Sequence, residues 1–142
     1  MAGDAAVNYA IAGKMGVPMR SLIDQKDFIA AQERWQTCDV IVDAMLGTGF
    51  VGQIRDPLLS VVTLINELQR PLVVAIDLPS GLDANLGCTG GTILRADQTI
   101  TFLAKKVSFT QPEAKQCLGR VTVCDIGAPT QFIVQQLGLP AS

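Results

Sequence analysis

The 142 residues carry 11 Lys and Arg against 13 Asp and Glu, a net charge of −2, and 49% of them are hydrophobic. The basic residues are scattered, which argues against a broad surface for nucleic acid. No apolar stretch approaches the roughly 20 residues of a membrane helix, and no signal-peptide pattern opens the chain. There is no histidine, which removes Ser-His and Cys-His nucleophiles and the usual zinc and iron sites. Proton transfer then falls to Asp, Glu, Lys, Tyr, Cys or a bound water.

The length suits one domain, residues 1–142, with a real core. A mean hydropathy of +0.35 fits a parallel sheet covered on both faces. The four cysteines, Cys38, Cys88, Cys117 and Cys124, form no CxxC pair and no metal-ligand spacing, and a reducing cytoplasm is the simplest setting. Cys38 and Cys124 flank expected strands and read as small buried hydrophobes.

In chain order, Ala5–Met15 has apolar residues at helical spacing, with Gly13, Gly16 and Pro18 as a stop. Val17–Ile23 reads as a short edge-like strand and Lys26–Gln36 as a helix. Asp39–Ala44 is the first strong strand. Asp56-Pro57 supplies an N-cap and a first helical residue. Leu58, Leu59, Val62, Ile65 and Leu68 form that helix's apolar stripe. Pro71 ends the turn before a second strong strand, Leu72–Asp77. A long structured loop covers Leu78–Gly91. Ala96–Leu103 and Gly119–Asp125 read as further strands, joined by a polar connection through Lys105, Lys106 and Gln111-Pro112. Thr130–Leu137 reads as a closing helix.

Two of these strands end alike. Val40-Ile41-Val42-Asp43 drops into Ala44-Met45-Leu46-Gly47-Thr48-Gly49, and Val73-Val74-Ala75-Ile76-Asp77 into Leu78-Pro79-Ser80-Gly81. Runs apolar on both faces suit buried parallel strands, and such sheets bind ligands beyond their strand carboxyl ends. Gly47, Gly49 and Gly52 match G-x-G-x-x-G, whose backbone N–H groups can cradle phosphate; a tight turn needing positive φ is the plainer alternative. Asp43 and Asp77 suit ligand, base or ribose roles, or the capping of neighbouring turns. With Ser80 and Asp83 they offer hard oxygens, fitting a hard cation or a polar substrate. Lys105 and Lys106 follow a strand at the same end of the sheet.

Four stretches together resemble the YjeF N-terminal domain family, the NAD(P)H-hydrate epimerases. They are Val42–Gly49, Ala75–Ala84, Ala96-Asp97-Gln98-Thr99-Ile100-Thr101-Phe102 and Val123-Cys124-Asp125-Ile126-Gly127-Ala128-Pro129. Gly3-Asp4-Ala5-Ala6-Val7 is similar to the tail of that family's asparagine- and glycine-rich loop. The resemblance implies a Rossmann-like αβα sandwich with a mostly parallel sheet. It also implies interconversion of the two C6 epimers of hydrated NADH and NADPH.

Asp43 and Ser80 would then hold a potassium ion. Gly47, Thr48, Gly49, Phe50, Val51, Gly52 and Gln53 would hold the dinucleotide phosphates. Asp77 would contact the hydrated nicotinamide, and Asp4 would belong to the first substrate loop. Lys106 matches the lysine after the family's T-F strand. Acid–base work is left open among Asp77, Asp83 and Lys106. The sequence opens inside that first loop, so the first strand is missing from the expected sheet, and weak or no activity and marginal stability are expected of these 142 residues alone. A homodimer is implied. The alternative is a non-catalytic, partner-binding scaffold of the same fold.

Overall fold

The computed structural model describes residues 3–129. The chain divides into two compact units, one through Gln32 and one from Glu33 onward.

In the first unit, α1 (Asp4–Lys14) has an acid in its first turn and a base in its last, matching the helix dipole. It closes with Gly16 at φ +74°. The Gly16 N–H donates to Gly13 O and the Val17 N–H to Ala12 O, the paired bonds of a Schellman stop. Residues 17–23 do not form the expected strand. Pro18 has no N–H to give a ladder, and no described strand pairs with this stretch.

α2 (Gln25–Trp35) begins with a reciprocal cap. Asp24 Oδ1 accepts from the Lys26 and Asp27 N–H groups. Asp27 Oδ2 accepts from those of Ile23 and Asp24. The Ile23 and then the Asp24 N–H hold the Asp27 carboxyl below its ordinary range.

The second unit is built on β1 (Val40–Asp43), β2 (Leu72–Ile76), β3 (Gln98–Phe102) and β4 (Arg120–Cys124). They pair in sequence order, and every pairing is parallel. With helices flanking the sheet, this is the α/β, Rossmann-like architecture expected. Parallel neighbours require crossovers. α3 (Leu58–Glu67) joins β1 to β2. It starts at Leu58 with Pro57, not Asp56, in the N-cap position; Asp56, one residue ahead, still accepts from the Ser60 N–H at 3.2 Å and the Ser60 hydroxyl at 2.6 Å. Its buried residues are Val61, Val62 and Ile65. Burying each contributes about 1.5–3 kcal/mol.

The β3–β4 connection is not merely polar. It folds into a 3-10 turn, Val107–Thr110, and α4 (Lys115–Leu118), burying Ser108, Phe109, Cys117 and Leu118. Their core also takes in Leu78, Leu82, Ala84 and Ala114. The buried cysteine is therefore Cys117, while Cys38 and Cys124 are only half-buried. Burial pushes the Cys117 thiol up to about 12, and neighbouring Cys88 adds to the shift.

The sheet's two faces differ. Val73, Ala75, Thr99 and Thr101 are buried on one. On the other, Val40, Val42 and Leu72 are 49, 60 and 46% exposed. Asp97 pins the register between β2 and β3: its N–H donates to Val73 O, and its carboxylate Oδ2 accepts the Val73 N–H at 2.7 Å. The expected helix Thr130–Leu137 lies outside the described residues.

Candidate functional site

The parallel register brings the carboxyl ends of β1, β2 and β3 to one edge of the sheet, where the two aspartates sit. Asp43, the last residue of β1, is 2% exposed, and Ser80 in the loop after β2 is 1% exposed. They interlock. Asp43 Oδ1 accepts from the Ser80 hydroxyl at 2.7 Å and the Met45 N–H at 3.2 Å, and Oδ2 accepts the Ser80 N–H at 2.8 Å. The Leu46 N–H donates to Ser80 Oγ at 3.1 Å. A buried carboxylate is tolerated only when its lone pairs are satisfied, as most are here. One Oδ2 lone pair and one on Ser80 Oγ remain for a ligand.

Asp77 follows β2 directly. Its N–H donates to Ile100 O at 2.7 Å, and its φ is +71°, a conformation Asp tolerates better than most residues but still at a cost. Its carboxylate Oδ1 lies 2.6 Å from Lys106 Nζ, with side-chain exposures of 23% for Asp77 and 17% for Lys106. The Thr101 hydroxyl and the Phe102 N–H donate to the same Oδ1 at 3.1 and 3.4 Å. Lys106 Nζ also donates to Phe102 O at 3.3 Å. Lys105 has no such contact among the described residues.

Asp83 joins neither pair. Its backbone makes a two-way bridge with Gly87. Its carboxylate Oδ1 accepts from the Asn85 and Leu86 N–H groups, both at 2.9 Å. The Leu86 and then the Asn85 bond hold its carboxyl below the usual range. Asp4 stands exposed in the first turn of α1, in the other unit.

The loop Gly47–Gln53 is mostly exposed. It is braced at its end, where the Thr89 hydroxyl donates to Gly52 O at 2.9 Å. Only Gly52 has positive φ, at +94°. Gly47 and Gly49 have ordinary φ, and a Cβ on either would meet nothing within 4 Å. The turn explanation therefore holds for Gly52 but not for the first two glycines. α3 does not start at the end of this loop but at Leu58, so any phosphate contact comes from loop N–H groups rather than from the helix end.

Thr101 was not among the residues the sequence singled out. Its signal was present in Thr99-Ile100-Thr101, where alternation puts two hydroxyls on the buried face of a strand.

Residues 1–108 match the family profile described as "YjeF-related protein N-terminus". The chain belongs to this family. It is 35% identical over 138 residues to an NAD(P)H-hydrate epimerase of Pirellula staleyi, covering 97% of this chain and 60% of that protein. It is 38% identical over 128 residues to an NAD(P)H-hydrate epimerase of Cenarchaeum symbiosum, covering 90% of this chain and 56% of the relative. A bifunctional NAD(P)H-hydrate repair enzyme Nnr of Moorella thermoacetica is 35% identical over 134 residues, 94% of this chain and 25% of the relative. The chain thus spans between about a quarter and three-fifths of these relatives' lengths. No helix among the described residues is long and apolar enough to cross a membrane.

Proposed function

We propose that this YjeF-family chain interconverts the R and S C6 epimers of hydrated NADH and NADPH. The observation that carries this reading is the Asp77–Lys106 pair, 2.6 Å apart at the carboxyl end of the sheet. It unites an acceptor and a donor in a protein without histidine. The relatives' names, NAD(P)H-hydrate epimerase, supply the substrate class.

Epimerisation at C6 breaks and remakes one C–O bond. The C6 hydroxyl takes a proton from the Lys106 ammonium and leaves as water, the ring nitrogen's lone pair forming the iminium. The iminium then turns its other face to the pair, water adds there and gives its extra proton to Asp77, and the Asp77–Lys106 contact returns that proton to the lysine. Atoms and charge balance, and no redox partner is required. Positioned acid and base groups of this kind typically contribute about 10²–10⁴-fold. Asp83 serves better as a loop anchor, because its Oδ1 already accepts two backbone N–H groups.

Gly47, Thr48, Gly49, Phe50, Val51, Gly52 and Gln53 take the dinucleotide phosphates in this reading. The ordinary φ and open surroundings of Gly47 and Gly49 support it, since nothing inside the protein demands glycine there.

Asp43 and Ser80 offer a carboxylate and a hydroxyl oxygen, the hard ligands a potassium ion prefers, each with a lone pair to spare. They fit in kind, and other oxygens would complete the shell. When bound, the ion supplies a fixed positive charge beside the Asp43 turn. A homodimer in a reducing cytoplasm completes the proposal, supported by resemblance and by the four free thiols.

The test is to incubate the protein with purified epimers of hydrated NADH and separate them by chromatography over time. Interconversion faster than in buffer, lost in Asp77→Asn, is the expected result. A rate equal to buffer overturns the reading.

A further inference from the structure

β3 places threonine at two successive positions on its buried face, and both side chains are wholly buried. Their hydroxyls do different work. Thr99 donates to Leu118 O at 2.6 Å and ties β3 to the end of α4. Thr101 donates instead to a side chain of the candidate site, Asp77 Oδ1, at 3.1 Å. A hydroxyl buried this deeply must find a partner, so the contact is a fixed feature of the fold.

The three donors around the Asp77 carboxylate all meet Oδ1, which leaves Oδ2 as the oxygen with lone pairs to spare. They differ in stiffness. Lys106 reaches Oδ1 on a flexible four-carbon stem. The Phe102 N–H is long at 3.4 Å and correspondingly weak. Thr101 is β-branched and set in a strand, so its χ1 is restricted. It is the stiffer of the two side chains, and it makes a shorter bond than the Phe102 N–H.

We infer that Thr101 is a positioning residue for Asp77. It sets the rotation of the carboxylate so that Lys106 is held on Oδ1 while Oδ2 stays open toward a substrate oxygen. Without that hydroxyl, the lysine ammonium draws the carboxylate round until both oxygens share the cation, and the free acceptor is lost. The backbone of Asp77, held at φ +71° by its N–H bond to Ile100 O, fixes where the side chain starts but not how its carboxylate turns. This inference rests on the roles given above to Asp77 and Lys106.

The test compares Thr101→Val and Thr101→Ser with the parent protein, by epimerisation kinetics on hydrated NADH and by crystal structures. Valine keeps nearly the same shape and favours strands, so the fold persists, as a thermal melt will show. Misdirecting one catalytic group lowers kcat by about 10- to 100-fold, with KM little changed. Serine, which restores the hydroxyl, recovers most of that loss. In the Thr101→Val crystal, Lys106 Nζ contacts both Asp77 oxygens; in Thr101→Ser it stays on Oδ1. The inference is overturned by full-rate turnover in Thr101→Val, by equal losses in the two variants, or by a loss confined to KM. An unmoved carboxylate in the Thr101→Val crystal overturns it whatever the rates. If the parent protein leaves the epimers at the buffer rate, the epimerase reading fails, and the crystals still decide whether Thr101 orients Asp77.

Discussion

The turns after β1 and β2 begin alike, each with an aspartate at a strand end, and then diverge. Asp43 is buried and accepts three hydrogen bonds from Ser80 and Met45, so it fastens one loop to the other. Asp77 is partly open, sits at positive φ and faces a lysine. Burial with most lone pairs satisfied gives a fixed anchor, whereas partial exposure with one wholly spare oxygen gives a group able to exchange protons. Their glycines differ as well. Gly81 needs its φ of +96°, and a Cβ there would lie 2.6 Å from Thr92 O, while Gly47 and Gly49 meet no such constraint.

The largest effect is expected of Asp43→Ala. It leaves the Ser80 and Met45 donors without their acceptor, so the expected loss is about 2–5 kcal/mol in urea unfolding, together with abolished epimerisation. An unchanged midpoint would refute the anchor role. Next are the glycines. Gly81→Ala is expected to cost about 2 kcal/mol or more, from overpacking and unfavourable φ together. Gly47→Ala and Gly49→Ala should cost under about 0.5 kcal/mol and act on KM instead. Melting curves and kinetics of the three variants test this directly.

A smaller effect separates two substitutions at Asp77. Asp77→Gly should exceed Asp77→Ala in stability by about 1 kcal/mol, because alanine keeps the strain of positive φ and glycine does not. Equal midpoints would show that the backbone relaxes. Smallest is Asp83. Its folded-state carboxyl is depressed by the Leu86 and Asn85 N–H groups, so its stabilisation is present above the ordinary Asp value of about 3.9. That stabilisation fades as pH falls through the lower folded value. The stability gap between the parent and Asp83→Asn should hold steady above about pH 4 and close below it, as urea titrations across pH would show.

Most of this was legible in local pattern. Strands β1 and β2 announce themselves as β-branched runs, and α3 by its apolar spacing. Residues 17–23 look equally strand-like, but a strand exists only with a neighbour, which local composition does not encode. The turn and helix between β3 and β4 were obscured because the buried side chains, among them Phe109, Cys117 and Leu118, are interspersed with polar ones over a short stretch. Within the site, Asp43, Ser80, Asp77 and Lys106 stand out as types. Which aspartate meets which partner depends on parallel register, and the pairing of Asp43 with Ser80 spans 37 positions. Thr101 stayed hidden because a threonine in a strand is ordinarily there for its shape.

If Asp77 and Lys106 form the acid–base pair proposed for a hydrated nicotinamide nucleotide, removing the Asp77 charge must stop epimer interconversion. The rate of epimer interconversion of hydrated NADH is followed for the parent protein and for Asp77→Asn, each confirmed as folded by its melt. Interconversion above the buffer rate is expected in the parent, with a drop of about 10²-fold or more in Asp77→Asn. Asp77→Asn working as fast as the parent would contradict it.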